Sequence, residues 1–311
     1  MNRNQIIINK LAQRPYLTDG GLETALIFLQ GIDLPHFASF PLLQSESGRE
    51  ALEAYFLGFV DIANRAGCGF VFESPTWRAH AVWGDIMGYD ADALDSINQQ
   101  AIEFLSSLRA KCGGAAAAHL VSGCVGPKGD GYVVDHAMSA QQARDYHLSQ
   151  VTSFAAAGAD MTSALTLNYP EEAIGIVMAC ADVELPVVIS FTTETNGCLP
   201  DGTSLKDAIA CVDAATDSAP VYYMINCAHP DHFSQALMAG EPWLQRLGGL
   251  RVNASRLSHE ELDNVEALED GDPAELGQLV LALQQRMPHI RVLGGCCGTD
   301  HRHVSHMCMA H

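Results

Sequence analysis

The sequence predicts an α/β protein, a single-domain (β/α)8 TIM barrel over residues 1–311. Three observations carry that expectation. Eight short apolar, strand-like runs alternate with longer amphipathic or alanine-rich stretches. Eight strand–helix units in a chain of 311 residues is the size and rhythm of such a barrel. Polar, small or sulfur-bearing residues recur just after the strand runs, at the end where this fold carries its sites. A doubly wound open sheet needs fewer strands for one domain. No Ser- or Pro-rich linker and no low-complexity tail divides the chain.

The first run is Tyr16 to Thr18. Asp19-Gly20-Gly21 then turns into the apolar stretch Leu22 to Gln30, closed by Gly31. Asp19 reads either as its N-cap or as a carboxylate aimed into the barrel at a cationic group. A helix over Gly48 to Arg65 leads to a strand at Gly69 to Phe72. Glu73, which follows, is either a partner at the barrel mouth or a solvated loop residue. Asp90 to Arg109 is helical, Ala117 to Val121 is the third strand, and the loop from Ser122 to Gly131 comes next. That loop lacks the G-x-x-x-x-G-K-[ST] order of a phosphate cradle. It reads as a tight loop lining the site, with Cys124 within reach.

Ser139 to Ala156 is helical and Met161 to Leu165 is the fourth strand, with Thr166 after it. Pro170 to Cys180 opens with proline and two glutamates, as helix N-termini favour. The strand Val187 to Phe191 is followed by Thr192-Thr193, then a helix at Ser204 to Ala215. Val221 to Ile225 ends in Asn226-Cys227, and a long helix is expected over Pro230 to Arg246. Leu250 to Val252 precedes Asn253; Pro273 to Arg286 is the last helix before Arg291 to Leu293. The run His301-Arg302-His303-Val304-Ser305-His306, with His311 beyond, has the look of a metal-binding tract. It reads better as a surface helix starting after Gly298-Thr299-Asp300.

Hydrophobic residues make up 48% of the chain, enough for a sizeable core. A net charge of −20 disfavours nucleic acid and anionic membranes as partners. The N-terminal residues lack a signal peptide's pattern, and no apolar stretch is long enough to span a bilayer. A cytoplasmic protein is expected, its ten cysteines thiols or metal ligands and not disulfides. Nothing in the sequence fixes the oligomeric state.

The stretch Gly294-Gly295-Cys296-Cys297-Gly298-Thr299 is where the chemistry concentrates. Neighbouring side chains on a strand point to opposite faces. The flanking glycines are expected to supply the dihedrals that turn both sulfurs to one point. The alternatives are two buried cysteines or a disulfide between neighbours. Cys227 closes another strand-like run. Three thiolates at strand ends suit zinc and leave a fourth position for substrate.

These motifs resemble the homocysteine S-methyltransferase family over nearly the whole chain. The resemblance rests on Thr18-Asp19-Gly20-Gly21, Ser122-Gly123-Cys124-Val125-Gly126-Pro127, Asp201-Gly202-Thr203, Asn226-Cys227 and the terminal Gly-Gly-Cys-Cys-Gly-Thr. It implies a zinc-binding barrel in which Cys227, Cys296 and Cys297 hold Zn²⁺. It also implies that Asp19, Gly20 and Gly21 hold the amino-acid end of a thiol substrate, and Asn226 is expected among the substrate-binding residues. The implied reaction moves a methyl group from a small onium donor to homocysteine or a related thiol, as in methionine biosynthesis. Donors of that class include S-methylmethionine, S-adenosylmethionine and betaines. No His-x-His ends the first strand, which counts against metallohydrolase barrels. Leu165 stands where the family carries a glutamate for the substrate amine. An ammonium at that place would be unpaired, so the acceptor either lacks it there or presents it to Asp19 or Glu73. A non-catalytic zinc- or thiol-binding homologue is the runner-up.

Overall fold

The computed structural model describes residues 3–112, 118–135, 137–238, 240–262, 264 and 267–308. Eight parallel strands close into one barrel in sequence order: β1 Tyr16–Leu17, β2 Gly69–Glu73, β3 Leu120–Val125, β4 Met161–Leu167, β5 Val187–Phe191, β6 Tyr223–Asn226, β7 Leu247–Val252 and β8 Val292–Gly295. Closure is made by β1, whose Tyr16 pairs with Gly69 of β2 on one side and Val292 of β8 on the other. Helices fall between the strands, and the whole is the single-domain (β/α)8 barrel expected from the sequence.

Alternation along each strand sorts the side chains into two apolar layers. Phe70 and Phe72 of β2 face outward into the large layer shared with the helices. Val71 faces inward, with Leu120, Met161, Val188, Met224 and Val292 of other strands, into a smaller core that fills the barrel. The same parity sends Glu73, Cys124, Leu165, Asn226 and Arg251 inward at the upper, C-terminal ends of their strands. The lower barrel is plugged by apolar side chains and the upper barrel is polar.

The helices have ordinary local causes. Glu46–Arg65 is capped by Ser45, Ala91–Lys111 by Asp90, and Ala140–Ala156 by a Ser139–Gln142 capping box. Pro170–Asp182 and Pro273–Arg286 begin with the proline the N1 position favours.

Several boundaries differ from expectation. The third strand begins at Leu120, and Ala117 lies outside the described residues. It runs on to Val125, so Ser122, Gly123 and Cys124 are strand residues and not loop. The polar Ser122 is accommodated because its hydroxyl meets that of Ser163 inside the barrel at 2.8 Å. The stretch from Pro230 to Arg246 is not one helix. It breaks into Pro230–Phe233, Ala236–Met238 and Pro242–Arg246, with Gly240 at φ +61° and Pro242 interrupting it. The Leu22–Gln30 stretch is a short α-turn, Leu22–Thr24, followed by a π-turn, Ala25–Leu29. A helix at Arg3–Gln13 was not anticipated. The histidine run forms His301–Met307, capped by Asp300, but it is no surface helix. His303 is fully buried and His301 stacks on Phe59 with centroids 4.0 Å apart. His311 lies outside the described residues. Among the described residues, no helix is long and apolar enough to cross a membrane.

Candidate active site

A cavity of about 430 Å³ opens at the C-terminal end of the barrel. Its wall includes the proposed metal-ligand and substrate residues Asp19, Gly20, Gly21, Glu73, Leu165, Asn226, Cys227, Cys296 and Cys297. The three sulfurs lie within 4.8 Å of one another, the one such metal-capable group found among the described residues. Cysteine sulfurs hold zinc at about 2.3 Å, so three sulfurs gathered this closely are candidates to share one ion.

The turn that presents Cys227 comes from Cys227 itself, at φ +52°. A non-glycine residue there is uncommon and sits where the surrounding structure holds it. Its amide donates to the Arg251 carbonyl at 3.1 Å, and its own carbonyl lies 2.7 Å from His259 Nε2. The glycines before the cysteine pair have a different role from the one expected. Gly294 and Gly295 remain in β8; a Cβ on either would run into the side chain of Thr18 or Thr299. Only Gly298 takes a left-handed conformation, at φ +78°.

Cys227 and Cys296 are joined by a disulfide, with Cα atoms 5.3 Å apart, and Cys297 is free. This corrects the expectation that no cysteines pair, and the pairing is not between the sequence neighbours. Its cause is geometric: β6 and β8 flank β7, and their upper ends turn the two sulfurs to one point. Two sulfurs bonded to each other are not thiolates, so only with this disulfide reduced could all three cysteines hold a metal together. Burial pushes the Cys297 thiol up to about 11, with Glu23 adding to the shift and Tyr132 opposing it. A cation at the cluster is what would hold these groups as thiolates.

Asn226 is held rigidly. Its Oδ1 accepts from the Thr166 amide at 2.8 Å and from Ser190 Oγ at 2.6 Å, and its Nδ2 donates to Thr166 Oγ1 at 2.8 Å. Nδ2 also lies 3.9 Å from Cys296 Sγ. Thr166 is itself left-handed, at φ +63°, in the β4 irregularity between Ala164 and Leu167.

Asp19 is not the N-cap, a place taken by Gly21; it is buried in the cavity wall and faces a cationic group of the chain itself. Its Oδ1 accepts from Arg251 Nη2 at 2.8 Å and its Oδ2 from the Tyr55 hydroxyl at 3.1 Å. Arg251 also donates to the carbonyls of Gly295 and Gly20. This buried ion pair ties the first turn to the cysteine strand. Glu73 is the last residue of β2 and buried, not a solvated loop residue. Oε1 accepts from Ser163 Oγ at 2.9 Å; Oε2 is buried without a hydrogen-bond partner. Burial raises the Glu73 carboxyl to about 7, while Arg251 and the serine hydroxyls pull the other way. Cys124 sits in the same wall, its thiol pushed well up by burial and by Glu73. Leu165 lines the cavity, and its carbonyl accepts from Trp77 Nε1 at 3.3 Å.

Among the contributors not foreseen are Arg251, Trp77, Tyr132 and His259. Tyr132 Oη lies 4.0 Å from Cys297 Sγ, and its ring stacks on His259 at 3.9 Å. Inward parity of β7 was the signal available for Arg251; the other three lie outside the strands and had none. Asp201-Gly202-Thr203 forms an exposed turn, with Asp201 accepting from the Thr203 amide at 2.8 Å, and is not part of the wall.

Comparison with known proteins bears on this geometry. The family profile described as homocysteine S-methyltransferase matches residues 16–311. The metallated form of the homocysteine methyltransferase MmuM from Escherichia coli superposes with a TM-score of 0.76 at 22% identity, over 98% of this chain and 99% of that one. The oxidised form of the same enzyme gives a TM-score of 0.78 at 22% identity, over 99% of each chain. At such identity the two structures speak for the fold alone. No curated protein matches the chain by sequence.

Proposed function

We propose, for a chain that belongs to the homocysteine S-methyltransferase family, that this S-methyltransferase moves a methyl group from a small onium donor to a thiol at a Zn²⁺ site formed by Cys227, Cys296 and Cys297. Homocysteine is the family's acceptor and the first expectation here. The observation that carries the reading is the meeting of three cysteine sulfurs, from two strand ends, in the wall of the cavity at the C-terminal end of the barrel. When bound, zinc held by three thiolates lowers the pKa of an incoming thiol and keeps its sulfur nucleophilic.

The chain's own residues supply position and environment. Asn226, fixed by Thr166 and Ser190, and the Arg251–Asp19 pair hold β6, β7 and the first turn around the cluster. Tyr132, stacked on His259, brings its hydroxyl to 4.0 Å from Cys297 Sγ. Partly exposed rings of Phe28, Phe37 and Trp77 line the same cavity, and aromatic faces suit a methylated cation. In the transfer, the thiol sulfur forms the new S–CH₃ bond. The donor heteroatom keeps the electron pair of the broken bond and leaves neutral. The thiol proton goes to solvent.

Reduced protein should take up about one zinc per chain and then methylate homocysteine with S-methylmethionine, S-adenosylmethionine or a betaine, read as methionine formed. Zinc uptake without turnover from any of these donors would favour the non-catalytic thiol-binding reading. Failure of the reduced protein to bind zinc would overturn the site.

A further inference from the structure

Arg78 lines the cavity, half-buried, and among the described residues it has no carboxylate within ion-pair distance. The chain carries 37 acidic residues against 17 basic ones, so a cavity arginine left without one calls for an explanation. Its guanidinium lies over the rings of Trp77 and Trp83, 4.9 and 3.8 Å from their centroids, and Nη1 donates to the His36 carbonyl. Nε is buried without a hydrogen-bond partner. Asp130 is the acid whose charge bears on it most, but Asp130 Oδ1 accepts from the amides of Tyr132 and Val133 instead. Burying a cation without a counter-charge is unfavourable, and a bound anion would offset that.

Glu23 is the complementary case. It lies in the turn Leu22–Thr24 and lines the same cavity. Its Oε1 accepts from Ser39 Oγ at 2.8 Å, and no basic side chain among the described residues pairs with it. Its charge reaches both Cys297 and Arg78. A donor that is only a cation would be drawn by Glu23 and repelled by Arg78. From this arrangement we infer that Arg78 and Glu23 form the donor subsite, Arg78 taking a carboxylate and Glu23 facing the onium centre. The donor is then a small zwitterionic onium carboxylate of the betaine type. Its order of carboxylate, onium centre and methyl group matches Arg78, Glu23 and Cys297. The inference rests on the methyl-transfer reading above and narrows its donor class. Phe28, Phe37 and Trp77 add attraction for a methylated cation but do not read the carboxylate. Arg78 and Glu23 are specificity residues.

The test reads recognition without turnover, by calorimetry on reduced, zinc-treated protein with no thiol acceptor present. Glycine betaine is compared with two molecules that each lack one of its charges. Choline keeps the onium and has a hydroxyl in place of the carboxylate; 3,3-dimethylbutanoate keeps the carboxylate and has carbon in place of the nitrogen. Dimethylsulfonioacetate, the sulfonium counterpart, serves as a second zwitterion. Each zwitterion should bind about 10-fold or more tightly than either singly charged molecule, the size of a charge-assisted hydrogen bond. Arg78→Met should remove the preference for betaine over choline, and Arg78→Lys, which keeps the charge, should recover part of it. Glu23→Gln, which can still accept from Ser39, should reduce the preference for betaine over 3,3-dimethylbutanoate and leave that over choline standing. A purely structural role for either residue would weaken all the ligands together. Glu23→Gln stands as an independent arm if Arg78→Met does not fold.

Choline binding as tightly as betaine, or a betaine preference that survives both Arg78→Met and Glu23→Gln, overturns the inference. So does no detectable binding of either zwitterion at millimolar concentration. Methyl transfer to no thiol at all, with the zwitterion preference intact, would instead count against the proposed reaction and leave the subsite standing.

Discussion

Arg251 and Glu73 line the same cavity from different strands, and their burial has opposite consequences. The Arg251 guanidinium answers a carboxylate at 2.8 Å, so its removal leaves Asp19 buried and uncompensated. Arg251→Met should destabilise the protein by about 3–5 kcal/mol, read from denaturant unfolding. A change below about 1 kcal/mol would show that Asp19 finds other partners. Glu73 has a folded-state pKa of about 7 against an ordinary 4.5. Between those values the folded protein keeps a proton that the unfolded chain releases. The stabilisation is therefore complete below about pH 4.5 and is lost as pH rises through about 7, by on the order of 3 kcal/mol in all. Glu73→Gln should accordingly raise the melting temperature at pH 8 and leave it nearly unchanged at pH 5. An equal effect at both would mean that the carboxylate is solvated. Legibility at this scale follows the strength of local pattern. Cys227, Cys296 and Cys297 each close an apolar run, and paired sulfur after glycine has few readings. Arg251 stands between Leu250 and Val252, where an arginine reads as the wet side of a half-exposed strand. Only barrel closure makes that side an interior.

The upper ends of β6 and β8 are built by different devices, and only one of them was visible beforehand. At β8 the glycines announce themselves, although their reason is close approach to Thr18 and Thr299 and not unusual backbone. Gly295→Ala should displace Thr299 and destabilise by about 1–3 kcal/mol, with zinc content falling in parallel. Unchanged zinc and stability would show that Thr299 moves freely. At β6 the left-handed turn falls on Cys227 and is braced by Thr166, also left-handed, through Asn226. No glycine marks either position, so sequence offers no cue to them. The strands were legible because each is a short apolar run between polar punctuation. Pro230 to Arg246 was misread because its apolar spacing continues across Gly240 and Pro242, which end each short turn. The start of β7 was placed late for a related reason: Gly248 and Gly249 look like a turn, yet they are where Tyr222 and Met224 press against the strand.

At the scale of the whole molecule, the cysteine cluster and the fold are separable. The apolar layer between strands and helices and the smaller core inside the barrel both lie below or outside the cysteines. Cys227 and Cys296 are 69 residues apart, so a metal joining them cross-links the last quarter of the barrel. It does not supply the core, as it must in a small domain that is unfolded without its ion. Binding to the folded state adds stability by mass action, about 4 kcal/mol when free zinc exceeds its dissociation constant a thousandfold. Reduced protein treated with a chelator should therefore keep its far-ultraviolet circular dichroism and unfold cooperatively. Its melting temperature should be lower by several degrees, and returning zinc should restore it. Cys297→Ala should resemble the chelated protein whether or not zinc is added, because two of the three sulfurs cannot complete the site. Collapse of the circular dichroism on chelation would show instead that the cluster is structural, and a fourth position for substrate would then lose its rationale. The closed ladder from β1 to β8 argues for the first outcome, since every strand has both neighbours without help from the sulfurs.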